Sequence, residues 1–135
     1  MAWVPLNPAT APKPITPYFS QGAKVTNGQV VFVSGQVALN AEGKLVGGKD
    51  VRAQFRQAVA NVEAVLQEAG ATLEDVVKTT VFLTEQADFD KLIDIRTQFF
   101  GKTRPASSTI VVKGLARPEF LVEIEVEAVV SRGRE

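Results

Sequence analysis

The chain contains 135 residues, 45% of them hydrophobic, and its 15 basic and 15 acidic side chains give a formal net charge of zero. A chain of this length is expected to form one domain, spanning residues 1–135, and its neutral balance gives no indication of a nucleic-acid or anionic membrane partner. Cysteine and histidine are both absent, which excludes disulfides, thiol nucleophiles, imidazole catalysis and zinc sites of the Cys/His type.

The start of the chain shows no targeting signal. Residues Met1 to Pro5 have neither a basic flank nor the apolar run of a signal peptide. No apolar run approaches the length of about 20 residues that a membrane-spanning helix needs. No acidic cluster has the spacing of a carboxylate metal site. We therefore expect a soluble cytoplasmic protein without a metal ion.

The first third of the chain combines an irregular start with a strand signal. Five of the seven prolines fall in residues 1–20, which favours an extended arm that is not a regular element. The Asn27-Gly28 step between apolar positions predicts a hairpin. The strand that follows, Val30 to Val33, is apolar on both faces and is predicted to be central. Ser34-Gly35-Gln36 ends it, as expected of a bulge or a close backbone approach.

The middle of the chain predicts two helices and a strand. Gly43 to Asp50 nearly matches the phosphate-binding loop G-x-x-x-x-G-K-[ST], but an aspartate replaces the required hydroxyl, so Asp50 is interpreted as a helix N-cap. An apolar stripe predicts a helix from Asp50 to Ala69. A strand is predicted from Val76 to Leu83. A second helix, Asp88 to Phe100, has its apolar stripe interrupted by Arg96, which indicates that this arginine lies at a boundary.

The last quarter of the chain predicts two strands joined by a loop. Residues 104–112 contain a proline followed by an apolar strand. Residues 121–130 alternate apolar with acidic residues, which is the period of a strand with one buried face. Glu123, Glu125 and Glu127 share the other face. These carboxylates are consistent with a solvated surface, or with one glutamate that turns into a cleft and holds a proton or a water molecule.

The element order is strand, strand, helix, strand, helix, strand, strand. It predicts an α+β fold in which two amphipathic helices cover one face of a single mixed sheet. The opposite face retains threonine, lysine, phenylalanine, valine and glutamate, a mixture too apolar for water and too polar for a sealed core. Packing of this face against symmetry-related copies is therefore expected.

Several motifs together resemble the RidA/YjgF/L-PSP (Rid) family. Pro105-Ala106-x-Ser108 is followed by an apolar strand, a loop with Ala116-Arg117 and an Ile-Glu-x-Glu-Ala strand. The remaining matches cover nearly the whole chain in the order and spacing of that family: Thr16-Pro17-Tyr18, Val33-Ser34-Gly35-Gln36, Gln57-Ala58-x-x-Asn61-Val62, Val76-Val77-Lys78-Thr79-Thr80-Val81-Phe82-Leu83 and Phe99-Phe100.

The resemblance implies a chorismate-mutase-like fold that assembles as a homotrimer with small-molecule clefts between subunits. It also implies a deaminase without a cofactor, which hydrolyses reactive enamines and imines such as 2-aminoacrylate to a keto acid and ammonia. The glutamate that positions water corresponds to Glu125. Tyr18, Ser34 and Gly35 correspond to residues that line the ligand site.

The chain departs from the family pattern where an arginine should hold the substrate carboxylate, because that position is Ser107. Helix two has Ile93 in place of a pocket asparagine, and Thr109 replaces a cysteine found in some members. A serine is too short and uncharged to hold a carboxylate through two hydrogen bonds.

Three explanations of this departure follow from the sequence. A cation from a neighbouring subunit replaces the lost charge, with Arg104, Lys113 and Arg117 as candidates. Alternatively, the site hydrolyses a neutral or differently charged imine through Glu125. Finally, the chain is a non-deaminating, small-molecule-binding or interaction trimer in which Ser107 and Thr109 offer hydroxyl groups. Ribonuclease activity, described for some family members, ranks last because the chain is neutral and has no histidine.

Overall fold

The computed structural model describes residues 2–131, so both ends of the predicted domain, residues 1 and 135, lie outside the described residues. The described chain contains six strands and three helices, with a 3₁₀ turn at Leu73–Asp75. In chain order they are β1 (Trp3–Leu6), β2 (Gly22–Val25), β3 (Gln29–Gln36), α1 (Val51–Glu68), β4 (Val76–Leu83), α2 (Asp88–Lys91), α3 (Ile93–Phe100), β5 (Ala106–Val111) and β6 (Val122–Val130).

Four strands form a mixed sheet in the order β3-β6-β4-β5. Strands β4 and β5 are parallel, and β6 pairs antiparallel with both β3 and β4. Alternate apolar residues of β6 face α1 and form the core with its buried stripe, as the sequence predicted. The predicted α+β fold with a mixed sheet is thus confirmed, and the structure adds a separate two-stranded sheet formed by β1 and β2.

Helix α1 begins and ends where the sequence predicts. The Asp50 carboxylate accepts hydrogen bonds from the backbone N–H groups of Arg52 and Ala53, at 2.9 and 3.3 Å, which satisfies donors that the first helical turn leaves unpaired. After the helix, Gly70 adopts a φ of 75°, a conformation that glycine accepts without strain. Val65 follows the apolar spacing of this helix, but it is 40% exposed.

Two predictions about the early strands are wrong. The Asn27-Gly28 step does not close a hairpin, because β2 pairs with β1 and β3 pairs with β6. The turn instead passes the chain from the small sheet to the large one, and a side chain on Gly28 would clash with the backbone oxygen of Val130. Strand β3 is an edge strand, and its outward residue Phe32 is 74% exposed. Its two apolar faces therefore do not reflect a central position.

The second predicted helix is divided, since α2 ends at Lys91 and α3 begins at Ile93. Leu92 between them is fully buried and its backbone departs from regular helix geometry, with φ −107° and ψ −4°. From α3, Arg96 reaches Thr109 and Ser107 of β5, the strand at one edge of the sheet.

The proline-rich start is more ordered than expected. Trp3 is 1% exposed and packs with Ala2, Val77 and Val129 over the end of the sheet face that the helices leave open. Its indole N–H donates a hydrogen bond to the carbonyl oxygen of Glu74, at 3.3 Å. The expectation that residues 1–20 contain no regular element is therefore wrong for β1, where a strand in a two-stranded sheet tolerates a proline.

Within residues 2–131, no helix is both long and apolar enough to cross a membrane.

Replacing Trp3 with alanine should lower the free energy of unfolding by about 3–5 kcal/mol, because the substitution empties a buried indole site. Urea denaturation measures the change. Circular dichroism is the signal to follow, because Trp3 is the only tryptophan in the sequence and its replacement removes tryptophan fluorescence. Val4→Ala is the matched control, because Val4 is 42% exposed, and it should shift the unfolding free energy by about 0.5 kcal/mol or less. Equal effects of the two substitutions would show that β1 does not depend on the indole.

Candidate functional site

The predicted site residues lie on opposite faces of the four-stranded sheet. Thr79 and Val81 of β4 pair with Ser107 and Thr109 of β5, and they point toward the helices. The intervening Thr80 pairs with Glu125 and points outward. Because side chains alternate along a strand, Ser107 and Glu125 cannot share one face. One chain therefore divides the predicted residues between two places, which we call the outer and the inner half-site, and it does not bring them all together.

The outer half-site is a cavity of about 360 Å³, which we call the carboxylate pocket. Its lining includes Phe32, Ser34, Thr80, Glu125 and Glu127. The pocket thus combines two exposed carboxylates with two hydroxyl groups and an aromatic ring. Two of its members, Ser34 and Glu125, were predicted from the sequence as site residues, and the structure brings them into one pocket.

Glu123 is a candidate that the sequence interpretation passed over. It is half-buried on the outer face of β6, and its carboxylate packs directly against Gly35, where any side chain would overlap it. Burial, and secondarily the charge of Glu125, raises the pKa of Glu123 above the usual range of a glutamate. Since the environments of Glu123 and Glu125 differ, this pair can divide acid and base roles.

The contact with Glu123 gives a physical reason for a glycine at position 35. A glycine at this position lets the Glu123 carboxylate approach the backbone of β3, at the bulge between Val33 and Gln36. The sequence signal that could have identified Glu123 was the glycine itself, because a strand-ending glycine indicates that another group comes close. Three alternating glutamates gave no reason to prefer one over another.

The inner half-site is a smaller cavity of about 220 Å³, which we call the hydroxyl pocket. It is lined by Ile15, Thr16, Tyr18, Phe19, Phe89, Ser107 and Thr109. Tyr18, Ser107 and Thr109 were all predicted as ligand residues, and they lie together here. Strand β5 supplies the two hydroxyl groups, and the segment before β2 supplies Tyr18.

Behind the hydroxyl pocket lies Arg96, which is 1% exposed. Its Nη1 donates to Thr109 Oγ1 at 2.8 Å, its Nη2 donates to Ser107 Oγ at 3.0 Å, and its guanidinium lies 4.2 Å from the centre of the Tyr18 ring. Burial lowers the pKa of Arg96 to about 10, so the side chain remains charged at neutral pH. None of the ion pairs formed within residues 2–131 involves Arg96.

Arg96 is thus the second residue that sequence reasoning missed. Its charge interrupted the apolar stripe of the second helix, and this signal was interpreted as a boundary position. In the structure, the guanidinium instead occupies the space beside Ser107, where the Rid resemblance implied an arginine. The sequence could not reveal this, because the two residues lie on different elements and meet only through the packing of α3 against β5.

Within one chain, the cations that the sequence offered as replacements lie outside both pockets. Arg104 is exposed, and its φ is 55°, although a residue before a proline is usually extended. Its backbone N–H donates to the carbonyl oxygen of Phe100, closing the turn after α3. Neither half-site includes it. Lys113 and Arg117 line a separate cavity of the β5–β6 loop.

No group of three or more aspartate, glutamate, cysteine or histidine side chains within the described part of the chain could hold a metal ion.

Comparisons with known proteins agree in family and fold. The family model described as endoribonuclease L-PSP matches residues 8–130. A RutC family protein of Pyrococcus abyssi is 42% identical over 119 residues, which cover 87% of this chain and 90% of the relative. A 2-iminobutanoate/2-iminopropanoate deaminase of Dermatophagoides farinae is 35% identical over 120 residues, covering 89% of both chains. The crystal structure of YyfB, a Rid family protein of Yersinia pestis, superposes with a TM-score of 0.89 at 37% identity and covers 96% of this chain and 100% of that chain.

Glu123 should make stability depend on pH. Its folded-state pKa lies above the value of about 4.3 of an unfolded glutamate, so the fold favours the protonated form. The associated stability is fully present below the unfolded pKa and is lost as the pH rises through the folded pKa. Glu123→Gln should remove this loss.

Urea denaturation of wild type and Glu123→Gln, at one protein concentration and from about pH 4 to about pH 8, measures the difference. Glu127→Gln, on the same strand, is the control because Glu127 is exposed. Parallel curves for wild type and Glu123→Gln would contradict the prediction.

Proposed function

Because the chain belongs to the endoribonuclease L-PSP family, which includes the Rid and RutC proteins, we propose that it hydrolyses small imino and enamino acids to keto acids and ammonia. A relative at 35% identity carries the name of such a deaminase. The observation that carries the proposal is the pair of carboxylates on β6, since Glu123 and Glu125 share the outward face of this strand in unlike environments.

The chemistry requires one acid and one base. Water adds to the carbon of the C=N bond, a base accepts a proton from that water, and the nitrogen is protonated. The resulting carbinolamine then expels ammonia and leaves the C=O bond of the keto acid. An enamine enters the same route after a proton is added to its carbon. Glu125, in the pocket with Ser34 and Thr80, is proposed to position and deprotonate the water. Glu123, whose pKa is raised, is proposed to hold the proton that the nitrogen receives.

We further propose that the complete site forms between subunits of a homotrimer. The carboxylate pocket and the hydroxyl pocket lie on opposite faces of one sheet, so they can act on one small molecule only if they come from different copies. The outer face supports this arrangement because large apolar side chains remain exposed on it: Val30 at 53%, Phe32 at 74% and Ile110 at 43%. Assembly would cover these residues and bring one subunit's hydroxyl pocket to another subunit's carboxylates.

A second candidate function is a small-molecule-binding or interaction trimer that does not deaminate. The observation in its favour is Ser107, which cannot hold a carboxylate as an arginine does. In this case the pocket hydroxyls bind a small polar ligand, and Glu125 has no catalytic role.

Keto-acid formation from enzymatically generated 2-aminoacrylate and from bulkier amino-acid imines tests the two functions. Wild type should be active on at least one substrate, and Glu125→Ala should lower the rate by about 100-fold or more, because it removes a general base. Glu63→Ala is the control, because Glu63 is an exposed glutamate of α1 that lines neither pocket. Activity that survives in Glu125→Ala would exclude the proposed base, and an inactive wild type would leave the binding trimer.

Gly35→Ala should also impair catalysis, because the new methyl group would overlap the Glu123 carboxylate and displace it. A displacement of about 1 Å in a catalytic group lowers rates by roughly 10- to 100-fold. Steady-state kinetics with the best imine substrate measures the loss. Gly114→Ala is the matched control, since a side chain there would meet no atom within 4 Å. Full activity in Gly35→Ala would show that Glu123 does not take part.

A further inference from the structure

A buried positive charge without a negative partner lies behind the hydroxyl pocket. Arg96 is 1% exposed, and no ion pair within residues 2–131 neutralises it. Its contacts are two hydroxyl oxygens and the face of the Tyr18 ring. A buried charge is stabilised by hydrogen bonds and by an opposite charge. The protomer supplies only the first of these.

The hydrogen bonds of Arg96 also fix what the pocket offers to a ligand. A hydroxyl group has one proton to donate and two lone pairs that accept. Ser107 Oγ accepts from Arg96 Nη2 at 3.0 Å and from Thr79 Oγ1 at 2.8 Å, so both of its lone pairs are occupied. Its own proton must point elsewhere. Thr109 Oγ1 accepts from Arg96 Nη1 at 2.8 Å. Both hydroxyl groups line the pocket, and because a guanidinium only donates, each of them keeps its own proton available for a ligand.

A third polar group of the same pocket has no partner. Thr16 Oγ1 is buried and makes no hydrogen bond within the described residues. Buried hydroxyl groups are nearly always paired, so an orphaned one beside a cavity indicates a ligand or water position. Thr16 and the two hydroxyl residues of β5 line the same small cavity.

We propose that Arg96 makes the hydroxyl pocket selective for a carboxylate group, by turning the protons of Ser107 and Thr109 toward the ligand and by placing a positive charge behind them. Arg96 is a positioning residue in this proposal, since it acts through the two hydroxyl groups. The identity of the ligand as an imino acid or keto acid rests on the proposed function. Thus the charge that Ser107 lacks on β5 is supplied from α3.

The cavity in one chain has room for one end of a small ligand. Its volume of about 220 Å³ corresponds to roughly seven water molecules at about 30 Å³ each. Such a space fits the carboxylate end of a small acid with a short side chain. Phe19 and Phe89 line the rest of the cavity, so the remaining surface suits an aliphatic group.

Calorimetric titration with 2-oxobutanoate and with the neutral 2-oxobutanamide tests the proposal. Wild type should prefer the carboxylate. Arg96→Met should lower the affinity for 2-oxobutanoate by roughly 10- to 100-fold, the usual effect of losing hydrogen bonds that a charge assists. The same variant should bind the amide equally well or better, because the freed hydroxyl groups can then accept from its NH₂ group. Arg96→Lys should restore part of the preference, since it retains the charge.

The controls separate selectivity from folding. Arg56→Met removes an exposed arginine of α1 and should leave both affinities unchanged. A merely structural role of Arg96 would lower both affinities by the same factor, and that outcome would overturn the proposal. A wild-type protein that does not distinguish the two probes would overturn it as well.

A relocated charge provides a second test. Ser107→Arg alone would bring two guanidinium groups into contact, because Ser107 Oγ lies 3.0 Å from Arg96 Nη2. The double substitution Arg96→Ser with Ser107→Arg moves the charge from α3 to β5. It should recover the carboxylate preference that Arg96→Ser loses. Failure of the double variant to recover it, when circular dichroism shows it folded, would count against the proposal.

These titrations also distinguish the present proposal from the proposed hydrolysis. Glu125→Ala should lose turnover and retain the carboxylate preference. A wild type that prefers the carboxylate but hydrolyses no imine would refute the deaminase function and support the role of Arg96. Hydrolysis that depends on Glu125, with unchanged selectivity in Arg96→Met, would do the reverse.

Discussion

The alternation of β6 is the constraint on which the rest of the structure depends. Its even-numbered residues from Val122 to Val130 are buried against α1, whereas Glu123, Glu125 and Glu127 face outward. Because the period of a strand is two, a shift of one residue would place every carboxylate in the core. The same strand pairs with both β3 and β4, so its register also fixes where Ser34 and Thr80 meet the glutamates. The register of β6 therefore determines both the packing of the core and the position of the carboxylate pocket.

The sequence could predict what depends on local pattern. The apolar stripe and N-cap of α1, the strand β4 and the alternation of β6 are all periodic, and the structure has them within a few residues of the predicted bounds. The early strands show where this reasoning stops. An apolar pattern on both faces of β3 predicts that both faces are buried, but it does not predict which neighbour covers each face. It was taken for a central position, whereas the strand lies at the edge and exposes Phe32.

The same limit applies to the residues of the candidate site. Residues quoted from the Rid resemblance, such as Tyr18, Ser107 and Thr109, do lie together in the hydroxyl pocket. Glu123 and Arg96 could not be found in that way. Glu123 differs from its neighbours on β6 only through its contact with Gly35, and Arg96 reaches Ser107 only because α3 packs across β5. Both depend on contacts between elements distant in sequence, which no local period encodes.

In this chain a guanidinium from α3 lies beside Ser107, where the Rid resemblance implies an arginine on β5. A guanidinium on β5 would reach the ligand directly, with its own donors. From α3 it reaches two hydroxyl groups, and these present their protons in turn. The indirect arrangement keeps the charge away from water, and its cost is the desolvation that lowers the arginine pKa. A bound carboxylate would offset that cost. Selectivity for an anion and the stability of the buried arginine are then the same electrostatic interaction, observed with and without the ligand.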